Sequence, residues 1–279
     1  VIAVEMATLL RSLGKEVELL KHSDQILRRC DGEIKKKIRQ NFKRQKISMT
    51  DSFRLHRAEA AGKELRLFGE TPEGPKELSC HRLIVASSMV PSLEGFGLEN
   101  TSIARSPKGI RVSPETMETN VSGVYAIGDC IGGMMLAHAA EYHALAAVSA
   151  MTGQSYLFRP EAVPYCIFAH PEIAAVGFTE EEALARGEEI VTAKAYFAAN
   201  GMALAKNASE GFCKVVASKA SGKILGVHIM GPHASDLIGE AALAIHHNLT
   251  VRDGAYCVHA HPTLGETFKE AFFRASGLL

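Results

Sequence analysis

Apolar residues at Ile2, Met6, Leu9, Leu10 and Leu13 recur at the three-to-four spacing of one helix face, and Gly14 closes the run. The next stretch, Glu16 to Leu20, reads as a buried strand, and Gly32 to Gln45 as a second helix. Weak β texture follows through "FRLHRAEAAGKELRLFGE", then a strand at His81 to Ser87 and a loop marked by Pro91, Gly95 and Gly97. Gly123 to Cys130 forms a short apolar strand running into an alanine-rich helix, Leu136 to Met151. Strands alternating with helices predict a parallel, doubly wound α/β arrangement. A helix-then-strand opening is the back half of a βαβ unit, so the chain is expected to begin inside a motif.

Beyond residue 154 the texture changes. Strands are predicted at Tyr165–Ala169, Glu172–Phe178, Glu189–Phe197, Gly211–Ser218 and Lys223–Gly231, the last two as an antiparallel hairpin. Thr179 and Glu182 have capping-box spacing at the head of a short helix that Gly187 ends. The helix Asp236–Asn248 is apolar nearly all round, as expected of one covered by another subunit. With the final "TFKEAFFRA" this makes an α+β unit. The organisation predicted is residues 1–87 as one nucleotide-binding piece, 88–154 as a second, and 155–279 as an interface domain.

Composition narrows the function classes. Among 279 residues, 31 Lys and Arg balance 31 Asp and Glu, which argues against nucleic acid as the main partner. No apolar run is long enough to cross a bilayer, and the start has no leader-like pattern. The six cysteines, at 30, 80, 130, 166, 213 and 257, are widely dispersed, as in a reducing compartment, so cytoplasm is expected. They form no CxxC, CxxxxC or ligand spacing, and no metal is expected.

Four places carry possible chemistry. A GxG ahead of Val1-Ile2-Ala3 would complete the G-x-G-x-x-G/A dinucleotide fingerprint, in which a helix N-terminus meets the pyrophosphate; a plain amphipathic helix fits the same residues. Lys21 and His22 stand at a strand end where such folds read the adenosine ribose. Cationic groups there, with Arg28 close by, suit a 2′-phosphate and hence NADP, although a solvated strand end explains them too. Gly128-Asp129 lies past a strand end, where open sheets bind ligands and a carboxylate can accept from a polyol, or simply cap a loop. Last, "HAHPTLGE" sets His261 beside Pro262 with Glu266 five residues on. A carboxylate on one ring nitrogen would fix the tautomer of a histidine acid–base. The alternative is a pair of surface histidines, His259 and His261, and a helix-start acid.

Taken together, "VIAVE", "VYAIGD", "MLAH", "HPEIAAVGFTEEEA", "FAANGMALA", "GKILGVHIMGPHASDLIGEAALAI" and "HAHPTLGE" resemble, in order, the flavin-dependent pyridine-nucleotide disulfide oxidoreductases, and within them the dihydrolipoamide dehydrogenase branch. The resemblance implies FAD and NAD or NADP as cofactors. Val1, Ile2, Ala3, Val4 and Glu5 would line the nicotinamide nucleotide, with Lys21 and Arg28 near its ribose. Gly128, Asp129, Met135, Leu136, Ala137 and His138 would hold the flavin. His261 with Glu266 would be the acid–base pair, serving a flavin and disulfide on the partner of a homodimer. Electrons would pass from dihydrolipoamide, free or on a lipoyl domain, to a protein disulfide, to FAD and on to the nicotinamide.

Three departures accompany the resemblance. The family's redox-active cysteine pair has no counterpart, and thiol–disulfide chemistry cannot run without it, so the chain is expected to be a fragment, inactive alone. "ASSMVP" (Ala86 to Pro91) replaces the usual "ATGRRP". Lys21 stands where most of this branch has an acid. Glutathione and mercuric reductases are the NADP-linked alternatives. A non-catalytic dimerising module derived from the family is the other.

Overall fold

The first residues form the expected helix, but the face it buries carries Val4 and Ala7, whereas Ile2, Leu9 and Leu13 of the expected stripe are exposed; the chain builds outward from the buried face. The computed structural model describes residues 1–154 and 156–278 and divides into two units, residues 1–86 with 164–279, and residues 87–163.

In the first unit, α1 (Ile2–Ser12) leads into β1 (Val17–Leu20), α2 (Gly32–Arg44) and β2 (Ile47–Thr50). The two strands pair in parallel, Val17 against Ile47 and Leu20 against Thr50, as a helical crossover requires. A meander follows in β3 (Arg54–Ala61), β4 (Glu64–Thr71) and β5 (Gly74–Cys80), all antiparallel. Gly69 belongs in β4 because an added Cβ would lie 2.4 Å from the Phe53 ring.

The second unit holds the two-stranded ribbon β6 (Arg105–Ser106) and β7 (Gly109–Ile110), a 3₁₀ turn at Gly128–Ile131, and α3 (Ala137–Met151). Ala146, Ala147 and Met117 form its small core.

Returning to the first unit, β8 (Tyr165–Ile167), β9 (Glu172–Gly177), α4 (Glu180–Ala185), β10 (Ile190–Tyr196), α5 (Gly201–Ala205), β11 (Phe212–Ser218) and β12 (Ile224–Gly231) come next. They are followed by α6 (Ala234–His246), α7 (Val251–Tyr256) and α8 (Glu266–Ser276). The five strands form one antiparallel sheet in the order β10-β11-β12-β9-β8. Every residue of β11 and β12 is buried.

Register explains what this sheet packs against. Ile167 pairs with Ile173, Ile173 with Met230, and Met230 with Phe212, so the four stand in one row. That row shares a core with Val4 and Ala7 of α1, Ile34, Ile38 and Phe42 of α2, and Leu19 and Ile47 of the parallel strands. Fully burying each such side chain contributes about 1.5–3 kcal/mol. Two residues along, on the same face, Lys214 pairs with His228. Lys214 is 1% exposed, and its ammonium lies 2.9 Å from Asp31, 3.1 Å from Glu33 and 2.6 Å from Glu180. Asp31, fully buried, also caps α2 by accepting from the Glu33 amide at 3.0 Å. One carboxylate thus closes a helix end and neutralises a lysine of the distant sheet.

Two expected strands are absent. Residues 81–87 and 123–130 are extended or turn-like, with an isolated bridge between Glu118 and Tyr125. Their apolar runs suit a sheet buried on both faces, but among the described residues no strand pairs with 81–87, and 123–130 pairs only with the short stretch 117–119, the Ala126 amide donating to the Met117 carbonyl and the Thr119 amide to the Val124 carbonyl. Val85 is 76% exposed, and Val124 and Ile127 are also exposed. The Thr179–Glu182 capping box is present in both directions. Among the described residues, no helix is long and apolar enough to cross a membrane.

Candidate active site

The loop from Cys257 to Gly265 joins α7 to α8 and carries both histidines of the "HAHPT" stretch. Its inner side is fixed at several points. Asn200, buried ahead of α5, accepts from the Ala203 amide through its side-chain oxygen at 2.9 Å and donates its amide to the Thr263 carbonyl, also at 2.9 Å. The Thr263 hydroxyl donates to the Ala260 carbonyl at 2.7 Å. Leu264 and Phe268 are buried beneath, so the outer side chains stand on a held frame.

His261 is 79% exposed at the side chain, and its Nδ1 lies 3.0 and 3.2 Å from the two Glu266 carboxylate oxygens. The same carboxylate accepts from the Thr263 amide at 3.0 Å. That amide, with the His261 ring, holds the Glu266 carboxyl below its ordinary range, so it is ionised at neutral pH. An ionised acceptor at Nδ1 obliges that nitrogen to carry a hydrogen, leaving Nε2 as the position that accepts or returns a proton. Nε2 makes no hydrogen bond among the described residues. The structure therefore brings together the two residues that the sequence paired. Asn200 and Thr263, which hold the frame, were not singled out, although Asn200 before Gly201 has the form of a helix cap.

At the start of the chain, Val1 is the N-cap of α1 and supplies no side-chain acceptor; its carbonyl takes the Val4 and Glu5 amides, so the Ile2 and Ala3 amides are those that can face an anionic group. Ile2 is exposed, Ala3 is partly buried and Val4 is in the core. Glu5 has its carboxylate 2.9 Å from the Phe168 amide, which ties α1 to the antiparallel sheet. Lys21 is only 8% exposed and is not a free cation: its ammonium meets Asp51 at 2.7 Å and donates to the Asp24 carbonyl at 2.9 Å. Arg39 reaches the same aspartate at 3.1 Å. Partial burial opposes ionisation of Asp51, but hydrogen bonds from Lys21 and Arg39 outweigh it and lower its carboxyl. Arg28 stays exposed, and His22, Ser52, Arg54, Glu70, Thr71 and Pro72 line an open pocket of about 350 Å³.

In the other unit, the turn at Gly128–Ile131 packs on α3. Gly128 has φ +69°, and an added Cβ would stand 3.1 Å from that of Ala140, so both conformation and proximity favour glycine. Its amide donates to Nδ1 of His143 at 3.3 Å, and Asp129 is exposed at the turn. Leu136 precedes α3 with no side-chain cap, and no acid lies in the first turn. Met135 and Leu136 are partly buried, and Ala137 and His138 exposed. A helix start without a side-chain cap, a close-approach glycine and an exposed carboxylate in one unit fit a flavin: the amides suit its ring and phosphate acceptors, and the carboxylate its polyol hydroxyl donors.

Comparison with known proteins gives the family. Residues 1–144 match the family model of the pyridine nucleotide-disulphide oxidoreductases, and residues 163–272 match that family's dimerisation domain. The chain belongs to the pyridine nucleotide-disulphide oxidoreductase family. It is 37% identical over 272 residues to dihydrolipoyl dehydrogenase 2, mitochondrial, of Arabidopsis thaliana, covering 97% of this chain and 54% of that one. It is 36% identical to a dihydrolipoyl dehydrogenase of Bacillus subtilis, covering 99% and 59%. The chain thus spans little more than half the length of these curated relatives. Among solved structures, LpdA from Mycobacterium tuberculosis superposes with a TM-score of 0.90 at 24% identity, covering 97% of this chain and 59% of the other. The HOCl-induced flavoprotein disulfide reductase RclA from Escherichia coli gives 0.88 at 22%, covering 97% and 62%. Both likenesses concern the fold, which is α/β with an α+β dimerisation domain.

Proposed function

We propose that this chain is the nicotinamide-nucleotide, second flavin and dimerisation portion of a homodimeric, FAD-dependent dithiol–disulfide oxidoreductase, with dihydrolipoamide or a lipoyl group as the dithiol and NAD or NADP as the nucleotide. The observation that carries this is the His261–Glu266 pair, locked at Nδ1 and open at Nε2. In this reading Nε2 takes the proton of a dithiol as its sulfur becomes a nucleophile. Glu266 steadies the imidazolium, and the proton returns when a thiolate leaves. The redox cysteine pair would belong to the part of the relatives' length that this chain does not span. Bound flavin would supply the two-electron relay between dithiol and nicotinamide. The first-turn amides of α1 would hold the nucleotide's phosphates, while Gly128, Asp129 and residues 135–138 would hold the flavin.

A partner subunit suits the surface around the pair. Val258 is 94% exposed, Tyr256 66% and Leu243 of α6 60%, an apolar rim of the kind that a second copy covers. Lys21 spends its charge on Asp51, so the reading accommodates NAD and NADP alike.

The test is His261→Gln in the full-length protein, with steady-state oxidation of dihydrolipoamide as the assay. Turnover should fall by about 10²–10⁴-fold while flavin content and dimerisation persist. Turnover within a few-fold of wild type would overturn the assignment.

A further inference from the structure

Outside the His261–Glu266 pair, the fold gathers a second set of donors that the sequence spacing did not reveal. Glu240 on α6, Cys257 at the end of α7 and His259 in the following loop place a carboxylate oxygen, a thiol sulfur and an imidazole nitrogen all within 4.8 Å of one another. This is the one such group among the described residues. His259 is the fixed member, with its side chain 8% exposed, while Glu240 is 41% exposed at the mouth.

The histidine ring carries the argument. Its Nδ1 lies 3.0 Å from the Cys257 carbonyl, and its Nε2 lies 3.0 and 3.3 Å from the Glu240 oxygens. Both neighbours are acceptors, and a neutral imidazole carries a single N–H. In the tautomer that donates Nδ1–H to the Cys257 carbonyl, the Nε2 lone pair faces the Glu240 oxygens and a cation can sit between imidazole and carboxylate. A ring tied through Nδ1–H to a main-chain carbonyl, with Nε2 facing an anionic donor, is the usual setting of a metal-binding histidine. An ordinary His–Glu pair needs no sulfur; here Cys257 adds one within reach.

Thiolate, imidazole and carboxylate together are a borderline-soft donor set, suited to zinc rather than calcium or magnesium. Bond lengths of about 2.0–2.3 Å in a tetrahedron place ligands about 3.3–3.8 Å apart. The His259–Glu240 pair needs little movement to meet this, and rotation of the Cys257 and Glu240 side chains can close the remaining gap of about 1 Å. We propose that Glu240, Cys257 and His259 bind one Zn²⁺, with water as the fourth ligand. The site uses none of the atoms assigned to proton transfer, so it stands or falls separately from the catalytic reading.

The experiment strips the full-length protein with a chelator and titrates it with Zn²⁺ against a chromophoric competitor. Wild type is compared with C257S, H259Q and E240Q, and Co²⁺ serves as a spectroscopic stand-in. Wild type should hold one more tightly bound zinc per chain than C257S. Each substitution should weaken that zinc by at least about tenfold, since even loss of an outer-shell partner costs 10–100-fold. Co²⁺ should give a thiolate charge-transfer band that C257S lacks. C257S should melt like the zinc-free wild type, and Zn²⁺ should raise the melting temperature of wild type alone. Equal stoichiometry and affinity in wild type and C257S, or a charge-transfer band that survives the substitution, would overturn the proposal.

Discussion

Replacing Lys214 with methionine tests the joint between the first helices and the antiparallel sheet. Methionine keeps the length and apolar stem of lysine and removes only the ammonium. Three carboxylates then lose their shared cation. Glu33 and Glu180 have side chains 38% and 37% exposed, so water screens them and their share of the loss is small. Asp31 is different: it is fully buried and would keep only the Glu33 amide at 3.0 Å and a long contact from the Glu180 amide at 3.5 Å. Breaking a buried pair by removing one partner costs about 3–5 kcal/mol. At about 2–4 °C per kcal/mol for a unit of this size, the melting temperature should fall by about 6–20 °C.

The double variant D31N/K214M separates the charge effect from packing. Asparagine still caps α2, and the uncompensated charge is gone, so the double variant should melt above K214M, with a coupling of about 0.5–3 kcal/mol. The acid dependence follows from the Asp31 carboxyl. Burial opposes its ionisation, but hydrogen bonds from Lys214 and the Glu33 amide prevail and leave it lowered from its ordinary value. The resulting stability is present above the unfolded-state value near 3.8 and lost as pH falls through the lowered folded one. The Lys214 ammonium is raised: burial opposes its charge, and Glu180 and Asp31 outweigh that opposition. Its contribution is complete below the ordinary lysine value and lost only as alkaline pH passes the raised one. Thermal melts followed by circular dichroism from pH 2 to pH 8 are the assay. A K214M loss below about 1 kcal/mol, or a double variant no more stable than K214M, would refute the assignment of the cluster as a structural joint.

Glu266→Gln should keep a hydrogen-bond acceptor at His261 Nδ1 and remove its charge, lowering turnover while leaving dimerisation intact; steady-state kinetics of the full-length protein check this. Gly128→Ala should strain a left-handed backbone and press on Ala140, at a cost of about 1–3 kcal/mol; flavin absorbance per chain should drop. Asn200→Ala removes a helix cap and the tether to Thr263, so it should cost about 0.5–2 kcal/mol and slow turnover by loosening the His261 loop, read by melting and kinetics together.

Local signals in the chain carried much of this architecture. The helical spacing of α1, the Thr179–Glu182 box and the apolar runs of β9, β11 and β12 are written in neighbouring residues, although the α1 stripe of Ile2, Leu9 and Leu13 is exposed and Val4 and Ala7 are the buried ones; His261 and Glu266 lie close enough in sequence for their pairing to be read from spacing. Short elements with clear signals were passed over even so: "ISMT" forms β2, and Thr250 with Asp253 makes a second capping box that starts α7. The error at 81–87 and 123–130 has another cause. An apolar run records that a strand wants two covered faces, but pairing belongs to the neighbour, and among the described residues no strand pairs with the first run and only the short stretch 117–119 pairs with the second.

Long-range polar partnerships lay beyond any local reading, and they decide what the exposed chemistry can do. Lys214 and Asp31 are separated by 183 positions, and nothing in "GFCKVVAS" marks its lysine as buried. Only the sheet register, which sets Lys214 on the face shared with Phe212 and Met230, directs the side chain inward to the end of α2. The same logic holds at the ribose end. Lys21 reads as a cation awaiting a phosphate until the β1–β2 pairing brings Asp51, one residue past Thr50, against it. A charge counted along the chain says what a residue can offer; the partner supplied by the fold decides whether the offer is still open. By that criterion His261 keeps its Nε2 available, Lys21 does not keep its ammonium, and Cys257 keeps its sulfur.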